Sequence, residues 1–114
     1  MKNFFLLITI ILSFNLFAQT TTLSGGGLRV TFTNDLQNIT VKWSNTNNNV
    51  VTKSGINTGW VVVNSEKYIH YKVKNSTDYF LIKPSISWFG QQGYNIDYYN
   101  ELGSLYWAEI VYHD

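Results

Sequence analysis

The residues best suited to binding chemistry lie near the end of this 114-residue chain. Five polar and aromatic side chains recur at every second position along two neighbouring apolar segments: Asn95, Asp97, Tyr99, Trp107 and Glu109. An aromatic ring stacks on the apolar C–H face of a pyranose, while carboxylate and amide groups bind its hydroxyls in fixed directions. We therefore expect these five residues to form a ligand-binding surface, with a glycan or another envelope component as the ligand.

The two segments that carry these residues predict a β-hairpin. A loop of five residues, 100–104, with Gly103 in a left-handed conformation, pairs Tyr99 with Leu105 and sets all five candidates on one face. A loop one residue shorter places Glu109 in the core beside Ile96. Because burying an unpaired carboxylate is costly, the longer loop is favoured.

A purely structural interpretation of the same residues is open. Aromatic side chains are common in strands for packing reasons alone, so Tyr99 and Trp107 could lie under a loop or a second sheet, with Glu109 near its rim. The alternative function is a protein-interaction or structural module, such as an inhibitor, an immunity-type protein or a subunit of a surface assembly.

Catalytic and metal-binding patterns are weak. His70 and His113 have no ligand spacing, and a metal site usually needs three or four ligands, so no metal and no cofactor is expected. Asp97 with Glu101 could offer oxygens to calcium, but the acids lack the spacing of a calcium loop. Asp97 with Glu109 could be a glycosidase pair, yet a sheet of this size offers little cleft. We therefore expect a protein that is not an enzyme.

The amino-acid composition limits the classes of partner that this chain can bind. The chain has no cysteine, which excludes a disulfide scaffold and a thiol nucleophile. Its formal net charge is +1, and its lysines are dispersed rather than clustered. A nucleic acid or an anionic membrane is a poor partner for such a surface, so a glycan or a protein is expected instead.

Residues 1–19 have the layout of a secretory signal peptide. Lys2 precedes an apolar run from Phe4 to Phe17, which is too short to span a bilayer, and a small residue, Ala18, follows. We expect cleavage after Ala18, a secreted or periplasmic location, and no stable membrane insertion of the mature chain. Residues 20–27, with three glycines in a row, predict a flexible leader.

The rest of the chain, residues 28–114, predicts a single all-β domain. Apolar and polar residues alternate from Leu28 to Thr33 and from Ile39 to Ser44, which is the period of a half-buried strand. Val50–Thr52 predicts a short edge strand and 54–59 a loop, and Pro84 is expected to end the strand that starts at Tyr79. Seven or eight short strands at this spacing predict an antiparallel β-sandwich or a partly open barrel.

Overall fold

The structure is a computed structural model, which describes residues 19–87 and 89–113. These residues form eight strands and no helix. The strands are β1 (Thr20–Gly25), β2 (Leu28–Thr33), β3 (Asn38–Ser44), β4 (Val50–Val63), β5 (Glu66–Val73), β6 (Tyr79–Ile86), β7 (Gln92–Tyr99) and β8 (Leu105–His113).

The eight strands close into an antiparallel barrel in which each strand pairs with the next along the chain and β1 pairs with β8. The all-β antiparallel prediction is confirmed, and the architecture is the closed barrel rather than a sandwich. Closure removes the free sheet edges that a sandwich would expose. It also defines an inside, an outside and two ends.

Strict alternation along the strands fills the inside. In β2 the inward residues Leu28, Val30 and Phe32 are buried, and β3 contributes Ile39 and Val41 in the same way. The largest fully buried side chain is Tyr71 of β5; its hydroxyl donates a hydrogen bond of 2.6 Å to the carbonyl of Leu36. Burial raises the pKa of Tyr71 to about 12. The buried core thus takes side chains from every strand of the barrel except β4.

Two segments differ from the sequence-based expectation. Residues 20–25 are not a flexible leader but strand β1, whose Leu23 is fully buried and whose six residues all pair with β2. Residues 50–63 form one long strand, β4, rather than an edge strand followed by a loop. A register shift between Asn57 and Gly59 bends β4; such a bulge increases the local twist, which curves the sheet toward closure.

Pro84 does not end its strand, because β6 continues through it to Ile86. Proline cannot donate to a ladder and is therefore confined to positions with a free side. Here Pro84 pairs with Tyr94 of β7, whereas the pairing of β6 with β5 ends at Ile82. The missing N–H of Pro84 therefore costs no hydrogen bond on the side of β5.

The barrel has two ends, named here after a residue at each. The Gly26 end carries the β1–β2, β3–β4, β5–β6 and β7–β8 connections, and the Asn34 end carries the other three. Strand β8 is approached very closely at two glycines: a methyl group on Gly25 would collide with the carbonyl oxygen of Ile110, and one on Gly93 with that of Val111. These two positions therefore require glycine for steric reasons.

The predicted signal peptide falls almost wholly on residues 1–18, outside the described residues. Within the described part of the chain, no helix has the length and apolar character needed to cross a membrane.

Candidate functional site: the barrel-end cavity

The loop that joins β7 to β8 has the predicted length. Residues 100–104 connect the strands, and Gly103 adopts a φ of 81°. The backbone N–H of Asn100 donates to the carbonyl of Ser104 at 3.0 Å, and the side-chain oxygen of Asn100 accepts from the N–H groups of Leu102 and Ser104, each at 2.9 Å. The loop prediction, including the left-handed glycine, is confirmed.

The predicted register beyond the loop is wrong. Tyr99 pairs with Leu105 as expected, but Tyr98 then pairs with Trp107, which leaves Tyr106 as an extra residue in β8. This β-bulge reverses the parity of the rest of β8, since one inserted residue sends each later side chain to the opposite face. Asp97 consequently faces Ala108, and Glu109 pairs with Ile96, the arrangement that the sequence argument rejected.

The five predicted site residues are therefore divided between two faces. Asn95, Asp97 and Tyr99 share the outer face of β7, whereas Trp107 and Glu109 point toward the inside of the barrel. Asp97 and Glu109 also cannot form a glycosidase pair across a common face.

On the outside, the predicted residues of β7 adjoin a stack of rings. The ring of Tyr99 is 5.2 Å from that of Tyr79, at 12° between planes, and Tyr79 is 4.9 Å from His70, at 20°. Nearly parallel rings at such separations stack face to face and so cover one another's faces. Leu81 points outward and pairs with His70, a member of this stack, and it is only 4% exposed. This outer face of β5–β7 is convex and packed.

Two polar groups on this outer face are poorly satisfied. Burial raises the pKa of Asp97; Lys83 nearby opposes the shift and Glu66 adds to it. The side-chain oxygen of Asn95 is buried and has no hydrogen-bond partner. Because that oxygen lies below the surface, a ligand cannot reach it without moving its neighbours.

At the Gly26 end, Trp107 and Glu109 line a cavity of about 320 Å³. We call it the barrel-end cavity, and its lining residues come from the β1–β2 turn, from β2, from the end of β3 and from β8. They are Gly26, Gly27, Leu28, Trp43, Ser44, Trp107 and Glu109. Its volume lies at the lower end of the range typical of small-ligand sites.

Two indole rings form the apolar wall of the barrel-end cavity. The ring centroids of Trp43 and Trp107 are 5.2 Å apart and the rings meet at 74°. Trp107 is held from below by Tyr98 and Phe80, at 5.5 Å and 6.2 Å between ring centroids. Both indoles are partly buried against the core and partly exposed. The core thus fixes their orientation and leaves part of each ring accessible.

Glu109 supplies the charge in the barrel-end cavity. Its carboxylate occupies the space that a side chain at residue 26 would fill, and Gly26 leaves that space open while it adopts a φ of 56° without strain. The carboxylate is tolerated on the inward face because it lies at the open end of the barrel beside two glycines, not in the closed core. The expected cost of burying it therefore does not arise.

Sequence reasoning missed Trp43 as a site residue. The sequence did hold a pattern that indicates it, since Trp43 continues the inward alternation of Ile39 and Val41 to the penultimate residue of β3. An inward aromatic residue at the end of a barrel strand lies at the mouth. That inference needs the closed topology, which the strand pattern alone does not provide.

The candidate metal residues are dispersed. His70 lies in the ring stack on the outside, and His113 lies at the Asn34 end of β8. Glu101 is exposed in the β7–β8 loop, and Asp97 lies on the outer face of β7. Among the residues that the structure describes, no group of three or more His, Asp or Glu side chains is placed to hold a metal ion.

Fold and site together define a closed, eight-stranded antiparallel barrel with an aromatic and acidic cavity at one end. Comparison with protein-family models, with curated proteins and with solved structures found no match to this chain.

Proposed function

We propose that this protein is an exported, non-catalytic binding module that holds a glycan in the barrel-end cavity. The observation that carries the proposal is the meeting of two indole rings and one carboxylate in a single cavity. The rings of Trp43 and Trp107 offer apolar surfaces to the C–H face of a pyranose. Glu109 can accept hydrogen bonds from the hydroxyls of the same sugar.

The mouth of a β-barrel is a common place for such a site, because the strands fix the side chains while the end stays open. The outer face of β5–β7 supports the proposal less well, although it carries Asn95, Asp97 and Tyr99. Its rings stack on one another, which leaves little free ring surface on which the C–H face of a sugar can pack.

The test is a titration of the chain from residue 20 onward with hexasaccharides of glucose, mannose and N-acetylglucosamine. Binding is measured by the change in tryptophan fluorescence and by calorimetry. This part of the chain forms the whole barrel and its core. We expect at least one hexasaccharide to bind, and Trp107→Phe to weaken that binding about tenfold or more, since aromatic stacking on the ligand is lost or shortened.

A matched pair of variants locates the site. Tyr99→Ala and Asp97→Asn alter the outer face and should leave the affinity within about twofold. Loss of binding in these outer variants with retention in Trp107→Phe would move the site to the outside. If no hexasaccharide, whether neutral or charged, produces a signal, the glycan proposal fails.

A second candidate is a subunit that associates with copies of itself through the Asn34 end. Three large apolar side chains are strongly exposed on the two hairpins there: Val62 at 71%, Ile86 at 71% and Phe89 at 98%. Exposed apolar surface of this kind often marks an interface. Sedimentation of the wild type and of Phe89→Asp tests it: association that the variant abolishes supports the candidate, and a wild-type monomer excludes it.

A further inference from the structure

We infer that the glycan held in the barrel-end cavity carries a protonated primary amine, as a deacetylated amino sugar does. The inference rests on the proposed function and names its ligand class. It is carried by one charged group, Glu109, in a cavity whose other lining residues are neutral.

The carboxylate of Glu109 has no internal counter-charge. Within the described chain no hydrogen bond or ion pair joins the side-chain carboxylate of Glu109 to another residue, whereas Glu66 forms an ion pair of 2.7 Å with Lys83. Strands β2 and β3, which also line the cavity, carry the cations Arg29 and Lys42. Both are exposed on the outer face of the barrel, so the sheet separates them from Glu109. The cavity therefore presents a negative charge that no side chain of the described residues pairs with.

The indole walls favour the same ligand chemistry. A cation is attracted to the face of an indole ring, and most strongly where water is partly excluded. The rings of Trp43 and Trp107 meet at 74°, so an ammonium group near Glu109 can face one ring while the sugar ring stacks on the other. The chain already uses the simpler form of this contact: Lys67 lies 4.7 Å from the ring centroid of Trp60.

Charge complementarity then ranks the possible glycans. A hydroxyl and an ammonium group both donate charge-assisted hydrogen bonds to the carboxylate, but only the ammonium group brings the opposite charge and adds the Coulombic attraction of an ion pair. An N-acetylated sugar has lost that charge, and a uronic acid brings a second negative charge against Glu109. The expected order of affinity is amino sugar, then N-acetylated sugar, then uronic acid.

The experiment compares hexasaccharides of glucosamine, N-acetylglucosamine and galacturonate, at about pH 6 and low salt. We expect the glucosamine hexamer to bind about tenfold tighter than its N-acetylated form. Glu109→Gln should reduce that ratio to about one without abolishing binding of the N-acetylated hexamer. Raising the salt to about 1 M should reduce the ratio in the wild type.

Glu101→Gln is the matched control, because it removes the same charge from an exposed loop at the same end of the barrel. It should keep the wild-type ratio. Equal affinity for the glucosamine and N-acetylglucosamine hexamers, or equal effects of Glu101→Gln and Glu109→Gln, overturns the amine inference while leaving the glycan proposal standing. Absence of binding by all three hexamers and the neutral sugars overturns both.

Discussion

The indole rings of Trp43 and Trp107 meet edge to face at the Gly26 end of the barrel, with centroids 5.2 Å apart. These two residues are 64 positions apart in sequence, on strands β3 and β8 that do not pair with each other. The contact therefore spans the barrel end, and it joins the packing of the core to the candidate site.

Trp107→Ala should lower the free energy of unfolding by about 2–3 kcal/mol, because the indole packs on Tyr98 and Phe80 as well as on Trp43. Trp107→Phe keeps part of that packing and should cost about 1 kcal/mol. Urea denaturation measures both. An alanine variant as stable as the wild type would mean that the indole does not pack against the core.

Gly93→Ala should destabilise the barrel by about 2 kcal/mol or more. The added methyl group would collide with the carbonyl oxygen of Val111 and lie 2.8 Å from the ring of Tyr112, and a backbone atom of a paired strand cannot easily move away. The control is Gly55→Ala, whose nearest neighbour is a side-chain methyl of Ile39 at 3.1 Å. Thermal unfolding of both variants should show the larger loss at Gly93.

His70 should make the protein less stable as the solution becomes acidic. Burial lowers the pKa of His70 below its ordinary 6.5, so the unfolded chain takes up this proton at a higher pH than the folded chain. The contribution of His70 to the free energy of unfolding is fully present above pH 6.5. It is lost as the pH falls from 6.5 through the pKa of His70 in the folded state. Denaturation midpoints between about pH 8 and pH 5 measure the loss.

His70→Phe keeps a ring against Tyr79 and removes the titration, so its stability should change less over the same interval. His113→Gln removes the other histidine and serves as the control, because His113 is exposed. If His113→Gln makes the stability depend less on pH and His70→Phe does not, the half-buried ring of His70 is not the group responsible.

Asp97→Asn should stabilise the protein at neutral pH, by less than about 1 kcal/mol because the side chain is partly exposed. Burial raises the pKa of Asp97 above 3.8, so the folded state holds this proton more tightly than the unfolded chain. The wild type therefore loses stability as the pH rises from 3.8 through the pKa of Asp97 in the folded state. The advantage of the variant should vanish below about pH 3; a constant advantage at all pH values would point to packing instead.

Local patterns predicted the parts of this fold that depend on neighbouring residues. The alternation of Leu28–Thr33 and the turn chemistry around Gly103 each need only a few residues, and both are found in the structure. The strand β1 was missed because its sequence, TTTLSG, holds a single large apolar residue, and β4 because Asn57 and Gly59 resemble loop residues.

The candidate site was predictable only in part, because its arrangement depends on one inserted residue. The polar and aromatic residue types of the β7–β8 hairpin were recognised, but the bulge at Tyr106 has no signature in the sequence around it. Trp107, the residue after the bulge, packs on Trp43 and Phe80, which lie on other strands. Nonlocal contacts of this kind cannot be derived from alternation along a single strand.

Among the described residues, the seam between β1 and β8 has two paired positions, Leu23 with His113 and Ser24 with Tyr112. It joins the first strand to the last, and the cavity takes Gly26 and Gly27 from one side of it and Glu109 from the other. The ribosome makes β8 after the other seven strands, so a nascent chain has no complete barrel-end cavity until β8 has been made. In the finished molecule, the amide hydrogens at this short junction should exchange with deuterium soonest, and a bound ligand that bridges it should slow them.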